Sequence, residues 1–165
     1  MKQILKIFSA SYEIKKSKFL SFVFPYSRFD EVLQDLKKEH PKARHFVSAF
    51  RYLNEFSQIV EGSSDDGEPK NTSGKPTLSV LQGNELIDIG IITVRYFGGI
   101  KLGTGGLVKA YSTSANMVIS EAETIEYIPK DNFKIFVEYS EISIFEYNLE
   151  KLSIEFEIFL TENNK

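Results

Sequence analysis

The sequence predicts an α+β fold in which strands and helices alternate along most of the chain. Short segments alternate between β-branched or aromatic residues and polar residues with period two, which is typical of strands. Longer segments repeat apolar residues at helical spacing, and turns rich in Gly, Pro and Asn separate the two kinds of segment. A length of 165 residues suits one ordinary domain with at most a small addition.

The first half of the chain predicts a run of strands interrupted by one helix. In the second strand, Leu20, Phe22 and Phe24 alternate on one side, and Pro25 ends the run. The elements expected here are strands at 3–12, 17–24 and 43–53, a short strand at 57–60, and a helix opened by Ser27 and ended by His40-Pro41. In the strand at 43–53, His45, Val47, Ala49 and Arg51 alternate with Phe46, Ser48, Phe50 and Tyr52.

The second half predicts a strand between two helices, preceded by a polar loop. The strand at 87–97 is the most hydrophobic in the chain, so we expect it at the centre of the sheet. The other elements expected here are a loop at 61–75, a helix that begins at Pro76 and ends at Gly83-Asn84, a glycine loop at 98–106 and a helix at 107–122.

The C-terminal residues differ in charge and predict a separate β-α-β unit. Residues 138–165 carry a net charge of −5, so the remainder carries +2 of the total of −3. We expect a linker at 129–132, strands at 133–139 and 154–160, and a helix at 142–152.

Composition excludes several classes of protein. Hydrophobic residues make up 42% and charged residues 26%, a balance typical of globular and not of disordered chains. The chain has no cysteine, which excludes disulfide scaffolds and thiolate chemistry. We see no signal peptide and no apolar run of the length that a bilayer requires, so the expected location is cytoplasmic.

The segment of strand, glycine loop and helix at 91–111 is the first candidate site. Five glycines between residues 98 and 106 allow backbone N–H groups to approach an anion, and nearby cations add positive charge. The nucleotide-binding templates fail, because Thr104 stands where a Walker loop needs lysine and Val108 where a dinucleotide loop needs glycine. The candidate nucleic-acid or anion-binding residues are Arg95, Gly98, Gly99, Lys101, Gly103, Gly105, Gly106 and Lys109.

The acidic loop at 64–69 is the second candidate and has two interpretations. Asp65, Asp66 and Glu68 supply carboxylates that a divalent cation prefers. The interpretation that we prefer is turn chemistry, in which the acids cap backbone N–H groups or pair with Arg51, Lys75 or Arg95. Similarly, His45 with Asp65 or Asp66 and a serine suggests a hydrolase triad, but a strand histidine satisfied by a hydrogen bond is the simpler interpretation.

Four motifs in this order resemble the IMPACT family, whose bacterial members include YigZ. They are Ala43-x-His45-x3-Ala49-x-Arg51, SDDGEP at 64–69, TSGKP at 72–76 and RYFGGIKLGTGGLVKAY at 95–111. The resemblance covers about residues 12 to 120, and the long glycine motif is its most specific part. It implies a βαβ domain like domain two of a small-subunit ribosomal protein over residues 1–128. It also implies a truncated, partial ferredoxin-like unit over 133–165.

The resemblance implies a translation-associated protein that binds RNA or the ribosome. His45, Arg51, Asp65, Asp66, Glu68 and Lys75 are then expected to support the glycine loop. No catalytic residue, metal or cofactor is expected. The alternative is an enzyme on a small phosphorylated or nucleotide-like substrate, in which the acidic loop holds a divalent metal.

The sequence departs from the family pattern in three places. Asn71 replaces a usual glycine, and we expect it to keep the turn because Asn tolerates positive φ. No partner-binding domain precedes residue 1, so a kinase-regulating mechanism is not expected. The C-terminal unit is half of a ferredoxin-like domain, which predicts docking on the main domain or a homodimer through the β-α-β unit.

Overall fold

The computed structural model describes residues 1–129 and 133–159. The chain divides into two compact units, residues 1–128 and 129–165. In the first unit a five-stranded sheet carries helices on both faces, which confirms the predicted mixed α+β class. Within the described ranges, no helix is long and apolar enough to cross a membrane.

The first unit contains seven strands and three helices in its described residues. A 3-10 turn at Tyr26–Arg28 leads into the first helix. In chain order the elements are β1 (Lys2–Gln3), β2 (Phe8–Ile14), β3 (Ser17–Pro25), α1 (Phe29–Glu39), β4 (His45–Leu53), β5 (Ile59–Ser64), α2 (Gly74–Gly83), β6 (Ile89–Tyr96), α3 (Gly103–Glu121) and β7 (Ile125–Glu126).

The main sheet has the order β2-β3-β6-β4-β5, and every neighbouring pair is antiparallel. The hydrophobic strand β6 therefore lies at the centre, as predicted. Because β3 and β4 both run antiparallel to β6, they are parallel to each other with β6 between them. The connections β3-α1-β4 and β5-α2-β6 are thus two interleaved split βαβ units. A separate pair is formed by β1 and β7.

Each face of the sheet buries a different set of side chains. Helix α1 covers the face that carries Leu20, Phe22 and Phe24, which confirms their predicted common side. Helices α2 and α3 cover the other face and bury Ile89 and Ile91 of β6 there. That second face also contains a small polar cluster, in which the Ser21 hydroxyl hydrogen-bonds Thr93 and Ser114 at 2.7 Å each.

Several predicted boundaries were wrong. The strand expected at 3–12 is two strands, β1 and β2. Strand β5 continues into the expected polar loop, because residues 61–64 pair with β4 in spite of their low strand propensity. Helices α2 and α3 begin at Gly74 and Gly103, earlier than the expected starts at 76 and 107. Pairing and packing override local propensity at these positions.

The described residues of the second unit contain a 3-10 turn at Tyr139–Glu141 and helix α4 (Ile142–Lys151). The strands predicted at 133–139 and 154–160 were wrong for the described residues, because 133–138 and 154–159 belong to no strand. Leu160 and the end of the linker, residues 130–132, lie outside the described residues. Two short segments beside one helix lack the third strand that a stable sheet needs.

Candidate functional site

A cationic cleft lies at the end of the sheet where β4 begins and β6 ends. These two strands are antiparallel, and their register places His45 opposite Arg95. The cleft has a volume of about 400 Å³. It is lined by Lys42, Arg44, His45, Arg95, Tyr96 and Phe97. This lining, all within the described residues, holds three permanent cations and no carboxylate, so the cleft attracts anions.

Arg95 is held in place by the acidic loop. Its Nη1 donates to Oε1 of Glu68 at 2.5 Å, and the two side chains are only 7% and 4% exposed. The guanidinium lies 5.4 Å from the ring centroid of Phe19 and 5.7 Å from that of Phe97. Arg95 Nε is buried and has no hydrogen-bond partner among the described residues. One donor of a rigidly held cation therefore remains unused beside the cleft.

Tyr111 of α3 hydrogen-bonds the carboxylate that pairs with Arg95. Its hydroxyl donates to the same Oε1 of Glu68 at 2.8 Å. Burial, and then the negative charge of Glu68, raise the pKa of Tyr111 far above its ordinary value. The hydroxyl therefore stays protonated and remains a hydrogen-bond donor. Through these two hydrogen bonds, Glu68 connects Arg95 of the sheet with Tyr111 of α3.

His45 has a defined tautomer. Its Nδ1 lies 2.8 Å from the backbone carbonyl oxygen of Asp66. A carbonyl oxygen only accepts, so Nδ1 carries a proton and Nε2 of the neutral ring is an acceptor. Gly67 has φ +83° and lies against the imidazole ring. The interpretation of His45 as a strand histidine satisfied by a hydrogen bond is confirmed.

Asp65 caps the turn that leads into α2. Its two carboxylate oxygens accept from the backbone N–H groups of Asn71, Ser73 and Gly74 and from the Ser73 hydroxyl. Burial alone would raise the pKa of Asp65, but these four hydrogen bonds together lower it. Asn71 has φ +62°, which confirms its predicted role in the turn.

The other two acids are also engaged by protein donors. Asp66 Oδ2 accepts from the Phe46 backbone N–H at 2.6 Å, and Glu68 pairs with Arg95. The interpretation of the acidic loop as a cap and pairing element is therefore confirmed. Across residues 1–129 and 133–159, no group of three or more His, Cys, Asp or Glu residues is arranged to hold a metal ion.

The glycine segment is partly structural. Gly98 packs so closely on the β2–β3 turn that an added Cβ would lie 2.0 Å from the Lys16 carbonyl carbon. Gly99 and Gly103 have positive φ values of 86° and 74°. The predicted loop was wrong from Gly103 to Gly106, because these residues, Gly105 included, form the first turn of α3.

The remaining predicted residues lie apart from the cleft lining. Lys101, Lys109 and Lys75 are exposed, and none of them lines the cleft in the described part of the chain. Arg51 pairs with Glu61 at 2.9 Å and donates to the Leu86 carbonyl. A binding role for these residues stays a prediction.

Sequence reasoning missed Lys42, Arg44 and the polar role of Tyr111. The two cations flank Ala43 immediately before β4, so a signal was present at the start of a predicted strand. Tyr111 lies at an apolar position of the helix predicted at 107–122. It is fully buried, and its hydroxyl also hydrogen-bonds a carboxylate there.

The first unit carries a domain of a recognised class, since residues 15–119 match the model of the Impact N-terminal domain. The chain is 39% identical over 150 residues to the IMPACT family member of Haemophilus influenzae. It is 37% identical over 134 residues to YigZ of Escherichia coli and 40% identical over 116 residues to YvyE of Bacillus subtilis. The chain belongs to the IMPACT family.

The relatives are longer than the matched regions. The three alignments cover 87%, 79% and 68% of this chain and 71%, 66% and 52% of the respective relatives. A solved crystal structure of a hypothetical protein superposes with a TM-score of 0.77 and 33% identity. That superposition covers 92% of this chain and 75% of the other.

Proposed function

We propose that this protein acts without catalysis in association with translation, and that it binds RNA or the ribosome through the cationic cleft and the adjoining glycine segment. The observation that carries the proposal is the cleft itself. Lys42, Arg44 and Arg95 contribute positive charge to a lining without carboxylates in the described chain. Such a surface suits phosphate groups.

The aromatic residues in the same lining favour RNA over an isolated small anion. Phe97 is 52% exposed and lies beside the Arg95 guanidinium. Exposed aromatic rings next to cations stack unpaired bases while the cations contact phosphates. The Tyr96 hydroxyl is hydrogen-bonded to Nδ1 of His40 at 2.9 Å, which holds this part of the cleft lining in place. The proposal includes the ribosomal-protein-type fold that the family resemblance implies.

The alternative of a metal-dependent enzyme receives no support from the described residues. It requires Asp65, Asp66 and Glu68 to converge on one cation. Instead, Asp65 caps α2, Asp66 accepts from β4 and Glu68 pairs with Arg95. Each carboxylate therefore directs its hydrogen bonds to a different part of the protein.

Co-sedimentation with ribosomal particles across a salt series tests the proposal. The Lys42→Glu, Arg44→Glu double variant should lose binding, because it reverses two charges at the cleft. The matched control is the Lys2→Glu, Lys6→Glu variant, which makes the same charge change at the opposite end of the sheet. Each phosphate contact that is lost should lower the salt dependence by about one unit of slope.

A third variant separates the cleft from the sequence-predicted lysines. If Lys101→Glu, Lys109→Glu abolishes binding while the cleft variant binds normally, the site lies on α3 and its preceding loop. Equal loss in the cleft variant and the Lys2, Lys6 control would contradict a localised site. Absence of binding by the unmodified protein at low salt would overturn the proposal.

The proposal also includes a cytoplasmic location and no cofactor. It includes association of two copies through the second unit. Exposed apolar side chains support that association, because no residue of α4 is buried in the described structure.

A further inference from the structure

We propose that the cationic cleft takes the terminal phosphate monoester of a nucleotide, with the adjoining base against Phe97. This inference rests on the proposed RNA binding and specifies which part of an RNA enters the site. An RNA end and a free nucleotide share this chemistry. Separate titrations of RNA ends and of a free mononucleotide distinguish them.

The unused donor of Arg95 is the first observation. The Arg95 side chain is only 7% exposed, and its Nε has no hydrogen-bond partner among the described residues. A buried polar group without a partner loses free energy that a ligand oxygen restores. Arg95 lines the cleft, and its Nε lies buried beside it. Glu68 accepts from Nη1 and leaves Nε free, so a small opening of the lining gives a ligand oxygen access to a cation that is already held in place.

The charge balance of the site is the second observation. Lys42, Arg44 and Arg95 contribute three positive charges, while Glu68 pairs with Arg95 and Asp66 lies against His45 and Phe46. The net charge is positive, and a phosphate monoester, which carries close to two negative charges at neutral pH, gains more from it than a singly charged group does. An internal phosphodiester carries one. The site therefore favours a chain end over the repeating backbone.

The size and walls of the cleft are the third observation. Its volume of about 400 Å³ lies in the range of small-molecule sites and suits one nucleotide rather than a duplex. Phe97 offers an exposed ring for the base. His45 Nε2, which accepts when the ring is neutral, suits a ribose hydroxyl donor.

Fluorescence anisotropy with short single-stranded RNA tests the inference. Three labelled oligonucleotides of one sequence are compared, which carry a 5′-phosphate, a 3′-phosphate or hydroxyls at both ends. We expect one of the phosphorylated ends to bind at least about tenfold more tightly than the hydroxyl ends, because it gains charge-assisted hydrogen bonds. Adenosine monophosphate is titrated separately by calorimetry.

Two variants connect the preference to the cleft. Arg95→Lys keeps a cation opposite Glu68 but removes Nε, and it should abolish the preference for the phosphorylated end. Arg44→Gln alters an exposed side chain, so it should reduce the preference without unfolding the protein. The control is Arg28→Gln, an exposed arginine at the opposite end of the sheet that pairs with Glu31. Thermal unfolding of each variant verifies the fold.

The outcomes separate this inference from the proposed function. If all three RNAs bind equally, the monoester site is overturned while RNA binding stands. If the nucleotide binds, no RNA does and Arg44→Gln weakens nucleotide binding, the site is supported and the RNA function is overturned. A preference that survives both cleft variants overturns the assignment to Arg95. Absence of binding by every probe overturns both.

Discussion

Glu68 accepts hydrogen bonds from two different elements through one carboxylate oxygen. Arg95 lies at the end of β6 and Tyr111 lies in α3, and both donate to Oε1. A buried ion pair costs desolvation energy, and this one holds the Arg95 guanidinium in one position beside the cleft. The carboxylate fixes the cation that the proposed ligand contacts.

Replacing Glu68 should therefore destabilise the fold. Glu68→Gln leaves Arg95 buried without a counter-charge, and we expect a loss of about 3 kcal/mol in the free energy of unfolding, measured in urea. The control is Glu61→Gln, which breaks the more exposed pair with Arg51 and should cost at most about 1 kcal/mol. Equal losses of stability in the two variants would contradict the expectation that burial makes the Arg95–Glu68 pair more costly to break than the Arg51–Glu61 pair.

Asp65 and Asp88 should respond to the same substitution with opposite signs. Hydrogen bonds lower the pKa of Asp65 against the opposing effect of burial, and burial raises the pKa of Asp88. Asp65→Asn should destabilise the protein at neutral pH by about 1 kcal/mol, as the loss of a helix cap does. Asp88→Asn should stabilise it, since the buried charge is removed.

The pH dependence follows from the two directions. A depressed pKa means that the Asp65 contribution is complete above its ordinary value of 3.8 and is lost as the pH falls through the lower folded value. A raised pKa means that the charged Asp88 destabilises the fold at neutral pH, and that this cost disappears as the pH falls below 3.8. The stability difference between each Asp→Asn variant and the unmodified protein should therefore decrease as the pH is lowered. Thermal unfolding between neutral pH and about pH 3 measures them.

At the level of elements, the two kinds of glycine in the motif are distinguishable. Gly98 contacts the backbone of Lys16 and Ser17, whereas a Cβ at Gly105 meets nothing within 4 Å. Gly98→Ala should cost roughly 1–3 kcal/mol through steric displacement. Gly105→Ala should stabilise α3 by roughly 0.5–1 kcal/mol. Urea unfolding of the two variants measures both changes in the free energy of unfolding. If Gly98→Ala leaves that free energy unchanged, the backbone after β6 can shift away from the β2–β3 turn without cost.

The elements with a continuous hydrophobic pattern were predictable, because burial dictates their composition. The central place of β6 followed from its continuous hydrophobicity, and the common face of Leu20, Phe22 and Phe24 followed from alternation. The extension of β5 through 61–64 did not, because its polar residues are strand only through pairing with β4. The start of α3 at Gly103 was missed because glycine locally favours a loop.

The candidate site was predictable in parts. The capping and pairing role of the acidic loop followed from turn chemistry, and the hydrogen bond of His45 followed from its place in a strand. The cleft was not predictable, since it combines residues at the beginning of β4 with residues at the end of β6. These segments are about 50 positions apart in sequence and adjacent only because the strands pair.

For the whole chain, the second unit differs from the first in its exposed apolar surface. Phe133, Phe136 and Tyr139 are each at least 80% exposed, and α4 has no buried residue. Apolar surface of this kind favours association. It supports the proposed homodimer even though the strands expected to form its sheet are absent from the described residues.

Light scattering at high micromolar concentration tests this proposal. The unmodified chain should approach twice the monomer mass, and Phe136→Ser with Tyr139→Ser should restore the monomer. Phe56→Ser is the control, because Phe56 is 72% exposed and belongs to the first unit. A monomeric mass for the unmodified chain would rule out the homodimer.

The interleaved order of the sheet has a consequence for synthesis. The hairpins β2–β3 and β4–β5 are joined only through β6, which is made after both of them. A nascent chain that stops before residue 89 therefore has two hairpins with facing unpaired edges and no strand to connect them. Such edges are prone to incorrect pairing. The first unit can fold cooperatively only after its central strand β6 has been synthesised. The final third of this unit therefore determines when the unpaired edges of the two earlier hairpins are protected from aggregation.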